Sequence, residues 1–167
     1  MNDYSKARTI FLLAALLVCV QVNAQSPLGA GERLAKEAMG LIAFAEIGNI
    51  GAADPECEGT PFPVTNIDSL IEAEILPVLE SLGRAEGNAD PKQIAEMIDL
   101  LRKLPVLKEN GTVVVKRIYE QMKQEARTAY GAAGVCPAVS SMVQTVMQQR
   151  RLGLRDVSAG IVHSKPK

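Results

Sequence analysis

Gly134-Val135-Cys136-Pro137-Ala138-Val139-Ser140-Ser141-Met142-Val143-Gln144-Thr145-Val146-Met147 is the stretch whose pattern decides the fold class. Val139, Met142, Val143, Val146 and Met147 recur at three- and four-residue steps, and Ser140, Ser141, Gln144, Thr145, Gln148 and Gln149 fill the other face, which makes an amphipathic helix. Both ends are signalled. Cys136 stands at the N-cap, Pro137 takes the first helical position, where a missing N–H costs nothing, and Gly153 follows Leu152 as a stop. Residues 153–167 mix Gly, Ser, Pro and charge and are expected to form a mobile C-terminal tail.

Working back from this helix, Ile118, Tyr119, Met122, Ala126, Ala129 and Ala133 keep helical spacing, with Thr112 able to cap the segment and Gly131 and Gly134 breaking it. Asp90-Pro91 opens a helix carrying Ile94, Met97, Ile98, Leu101 and Leu104, which Pro105 ends. An earlier helix, capped between Asn66 and Asp68, places Ile71, Ile75, Val78, Leu79 and Leu82 inward, and Pro77 should kink it near Ala73 to Leu76 or split it in two. The first helix carries Leu34, Ala38, Leu41, Ile42 and Ala45 and should end near Gly48. Its second half, Met39 to Ile47, is apolar nearly all round, which suits a central place in a bundle. Gly48 to Pro63 is too rich in Gly and Pro for any period and reads as a long loop. The expected architecture is all-α: a single-domain bundle of four to five helices tied by one disulfide, with the helical domain over residues 25–152.

The disulfide follows from compartment and parity. Lys6 and Arg8 precede an apolar run from Ile10 to Val20, and Ala24 closes a cleavage motif, so residues 1–24 have the form of a cleaved secretory signal peptide. The run is too short for the roughly 20 residues of a membrane span, so stable membrane insertion is not expected. Cys19 departs with the signal; its lipidation is disfavoured by Val18, where a small residue normally stands. Cys57 and Cys136 remain as an even pair in an oxidising compartment. Closing a loop of about 80 residues contributes roughly 4.5 kcal/mol in the chain-entropy model. The Ala24-Gln25 junction favours the periplasm, with the extracellular space as alternative; the N-glycosylation acceptor pattern Asn110-Gly111-Thr112, read as a surface turn, matters only if the source is eukaryotic.

Chemistry-bearing residues are scarce. His163 is the single histidine, two distant cysteines and one histidine cannot fill a zinc shell, and no phosphate loop or hydrolase spacing occurs, so neither a metal nor another cofactor is expected. Among 18 basic and 19 acidic residues no basic stripe stands out, and with no Trp and few aromatics to stack on bases nothing points to a nucleic-acid binder. The carboxylates Glu72 and Glu80, or Asp54, Glu56 and Glu58, could serve a hydrolase of unrecognised type, although a solvated surface is the commoner use. The methionines spread over the helices could line a cavity for an apolar ligand or simply fill a core short of aromatics.

These features point first to an exported, non-catalytic protein-binding domain: an inhibitor, immunity factor or assembly accessory. A carrier of an apolar molecule and a carboxylate-dependent hydrolase are the alternatives. The expected contact surface is the acidic loop around Asp54, Glu56 and Glu58, held beside the last helix by Cys57–Cys136, together with Ser140, Ser141 and Gln144. Its expected partner is another exported protein with a basic cleft.

Overall fold

A computed structural model describes residues 29–85 and 109–163, and these form helices joined by one long strap, with no strand among the described residues. The centre is set by Gly40-Leu41-Ile42-Ala43-Phe44-Ala45, all six buried, in α1 (Ala30–Ala53). A helix buried on every side needs neighbours on every side. α1 packs against α4 (Glu109–Tyr130), against α5 (Val135–His163), and against a continuous helical stretch made of α2 (Ile67–Leu70), a π-helical turn (Ile71–Ile75) and α3 (Leu76–Ala85). Leu41, Ile42 and Ile47 are each fully buried, which stabilises the fold by about 1.5–3 kcal/mol per side chain. The all-α architecture and the Cys57–Cys136 bond are as expected. The central helix is α1, whereas α5 buries one stripe, Val139, Val143 and Met147, and continues it through Leu154 and Val157.

Pro77 acts where expected. It offers no N–H to the Ala73 carbonyl, and the chain widens into the π-helical turn just ahead of it, so the helix continues without a break. Ile71, Ile75, Val78, Leu79 and Leu82 stay buried, and Asn66 is the cap, its side chain accepting from the Ser69 N–H at 2.9 Å.

Two expected helix ends are corrected. α1 passes Gly48 and runs to Ala53, and α5 passes Gly153 and runs to His163. In both cases the glycine serves close packing. A Cβ on Gly48 would collide with the Pro63 carbonyl oxygen, and one on Gly153 would lie 2.7 Å from Glu37 Cδ. Gly40 opens the same crossing from the α1 side, where an added Cβ would meet Arg150 Nε at 2.7 Å. The two glycines thus make room for the Glu37–Arg150 ion pair, 3.1 Å long, between α1 and α5. Because Leu154 and Val157 are buried, residues 153–163 belong to the fold, and the domain does not stop at 152.

α4 starts at Glu109, ahead of the expected Thr112 cap, so Asn110-Gly111-Thr112 lies in its first helical turn and not in a preceding turn. Gly131, with φ 71°, ends α4 as expected. The signal-like segment 1–24, the helix expected after Asp90-Pro91 and residues 164–167 lie outside the described residues.

Candidate functional site

The expected contact loop is a strap running from Asp54 to Asn66 across the C-terminal end of α1. A short 3-10 helix, Pro55–Cys57, starts it, capped by Asp54 Oδ1, which accepts from the Glu56 N–H at 2.9 Å. Farther on, the Asn49 side chain holds Thr65 by two bonds of 2.8 Å, donating to its carbonyl and accepting from its N–H. Between these points Phe62 packs over Gly51, and the Pro61 carbonyl accepts from Ser140 Oγ at 2.6 Å and from the Gln144 amide at 3.2 Å. Cys57 is bonded to Cys136 at the start of α5, with Cα atoms 5.4 Å apart. The strap is therefore fastened to three helices, α1, α4 and α5.

The fastening to α4 is electrostatic. Tyr119, Lys123 and Arg127 follow at four-residue steps and share one face of the helix. Tyr119 donates to Asp54 Oδ2 at 2.8 Å, and Lys123 Nζ reaches the same oxygen at 2.7 Å and Glu56 Oε2 at 2.6 Å. Arg127 pairs with the other Glu56 oxygen. Lys123 keeps only 7% of its side-chain surface exposed, so its charge needs this compensation. Burial alone would lower its pKa, but the bonds to Asp54 and Glu56 outweigh that and raise it. The bond to Lys123 holds the Asp54 carboxyl below its ordinary value, and Lys123 with Arg127 does the same for Glu56. Burial, reinforced by the Asp54 carboxylate, pushes the Tyr119 phenol upward. A lowered carboxyl pKa is the opposite of what a general acid at neutral pH requires.

Of the six expected contact residues, Asp54 and Glu56 are engaged by α4, and Ser140 and Gln144 by the Pro61 carbonyl. Ser140 is buried, which corrects its assignment to the surface. Glu58 and Ser141 are exposed. Tyr119 had been legible only as a core residue, and the roles of Lys123 and Arg127 were missed. No signal along the chain pairs Asp54 and Glu56 with Lys123, which stands 69 and 67 residues downstream of them.

Also outward is a line on α5. Ser141, Thr145, Gln148 and Leu152 are exposed and stand four, three and four residues apart, one above another on a helix. Gln149 is exposed beside them, and no charged residue occurs from Ser140 to Gln149. Leu152, 49% exposed, ends the line with an apolar side chain.

Among the described residues the methionines serve core packing more than a separate cavity. Met122 and Met147 are buried in the core, Met142 packs against it, Met39 is partly exposed, and Met97 lies outside the described residues. Among the described residues no group of three His, Cys, Asp or Glu is placed to hold a metal ion, and no helix is long and apolar enough to cross a membrane. The chain matches no protein-family model, no curated protein and no solved structure.

Proposed function

We infer that the protein is an exported, non-catalytic protein-binding domain, acting in the periplasm or, as the alternative, outside the cell. The observation that carries this reading is the exposed line Ser141, Thr145, Gln148 and Leu152 on α5, uncharged as far as its terminal leucine. Solvated helix faces usually carry Lys and Glu, whereas the centres of protein interfaces are depleted of charge. The Cys57–Cys136 bond is in keeping with an oxidising compartment. With Asp54, Glu56, Ser140 and Gln144 engaged within the fold, the α5 line has more support as the contact surface than the strap, and an uncharged partner surface fits it better than a basic cleft. A photoreactive amino acid at Gln148 should give a discrete adduct with one exported protein in the native exported fraction, and the same group at Glu58 should not. Adducts at Glu58 alone would return the surface to the strap, and adducts at neither position would remove this reading.

A further inference from the structure

Ser141, Thr145, Gln148 and Leu152 point directly away from the buried stripe Val139, Val143 and Leu154, so their line is the outermost edge of α5. No charge interrupts the line between Ser141 and Gln148, and opposite charges flank its two ends. At the N-terminal end the strap brings the exposed Glu58 beside the helix, next to Cys57, whose Cα is 5.4 Å from that of Cys136. At the C-terminal end Arg150 and Arg151 are paired with Glu37 and Glu74, whereas Arg155 is exposed. Arg155 also lies on the strap's side of the line. It stands eleven residues, about three turns, after Gln144, which bonds the strap at the Pro61 carbonyl, so the two side chains leave the helix in the same direction. The adjoining Asp156 is turned about 100° from Arg155, to the other side.

On the reading of α5 as the contact surface, we propose that its partner is a second copy of this chain, the two α5 helices lying antiparallel across a two-fold axis at Thr145. Thr145 is nine positions after Cys136 and ten before Arg155, so an antiparallel crossing there brings the strap end of one copy against the Arg155 end of the other. The axis of such a pair runs perpendicular to the plane of the two helices, which keeps both straps on the same side. Each Glu58 then meets the other copy's Arg155. A parallel pair would instead set Glu58 against Glu58 and Arg155 against Arg155. In the antiparallel register Ser141 falls opposite Gln148, a hydroxyl against an amide, both able to donate and accept. Leu152, 49% exposed, falls opposite Pro137 and Ala138 and is withdrawn from water. Residues near a two-fold axis face their own copies, so a charge there would meet its like, and the line from Ser141 to Gln148 holds none. The helical contact from Pro137 to Leu152 is about 22 Å long, which suits a reversible dimer rather than a permanent one.

Sedimentation equilibrium of the purified protein should give a monomer–dimer equilibrium with a Kd of about 1–100 µM, and a monomer at every concentration up to about 1 mM would overturn the proposal. Thr145→Asp sets a carboxylate against its own copy and should raise Kd more than about a hundredfold; unchanged dimerisation would overturn the placing of the axis. Thr145 is exposed, so this variant should melt as the wild type does at dilutions where both are monomeric. Glu58→Arg alone and Arg155→Glu alone should each raise Kd about tenfold, and the two together should return it to within about threefold of the wild type. Single variants that dimerise as tightly as the wild type, or a double variant no better than either, would overturn the antiparallel pairing. A photoreactive group at Gln148, used in the native exported fraction, separates the second copy from other partners of α5. An adduct of twice the chain's mass supports the second copy. An adduct with a different exported protein keeps the α5 surface and overturns the second copy, and the lack of any adduct removes both.

Discussion

The ring of Phe62 lies over the bare Cα of Gly51, so close that a Cβ built there would stand 2.5 Å from Cδ1 and 2.8 Å from Cζ. The same ring meets Tyr119 edge-on, with centroids 6.4 Å apart. Gly51→Ala must displace the strap, and overpacking of this kind costs about 1–3 kcal/mol. Gly160 gives the opposite sign: it is exposed on α5 with nothing within 4 Å of an added Cβ, so Gly160→Ala should gain up to about 1 kcal/mol of helix propensity. Chemical denaturation of both variants checks the pair. Similar effects of the two substitutions would mean that the strap is not seated on α1.

Lys123→Met removes the cation that Asp54 and Glu56 share. Asp54 is left with the Tyr119 hydroxyl and one backbone N–H, and its side chain is only 14% exposed. The loss should be on the order of 3 kcal/mol, the lower end for removing one member of a buried pair, because Tyr119 still donates. Arg127→Ala, at the exposed end of the same cluster, should lower the melting temperature far less. Equal losses would show that the cluster is solvated throughout.

Acid should weaken this fastening. Asp54 and Glu56 have lowered pKa values in the folded state, so between the folded and unfolded values the unfolded chain binds more protons. Their contribution is complete above the ordinary carboxylate value of about 4 and is lost as pH falls through the lowered folded values. The melting temperature should drop below about pH 4, and less steeply in Asp54→Asn. Identical profiles for variant and wild type would exclude Asp54 as a source of the drop.

Glu46 on α1 works with the opposite sign. Burial raises its pKa, and its Oε2 has no hydrogen-bond partner among the described residues. The folded state holds that proton more tightly than the unfolded chain, so ionised Glu46 is a cost at neutral pH, relieved as pH falls through the raised value. Glu46→Gln should be slightly more stable than wild type at neutral pH, with the difference closing toward about pH 4. A variant less stable at neutral pH would point to an unseen cation beside the carboxylate.

The end of α5 gives a plain packing test. Leu154 is 3% exposed, and Leu154→Ala should cost about 2–5 kcal/mol through lost burial and the cavity left behind. A mobile tail after Leu152 would make the same substitution silent in urea denaturation.

Helical periodicity and cysteine parity are properties of residue order, and they made the all-α class, the amphipathic face of α5, the disturbance at Pro77 and the Cys57–Cys136 pairing legible without coordinates. Glycine was the misleading residue. Gly48 and Gly153 carry the signature of helix ends, yet each lies within a helix, and only Pro63 and Glu37 standing against them explain why a side chain is missing. The acidic strap is the second case: Asp54 and Glu56 precede Lys123 by 69 and 67 residues, a separation across which sequence spacing says nothing about contact. Charge along the chain suggested an outward probe. Tertiary packing turned it inward, because a Lys123 buried on α4 is costly to desolvate unless opposing carboxylates are brought to it.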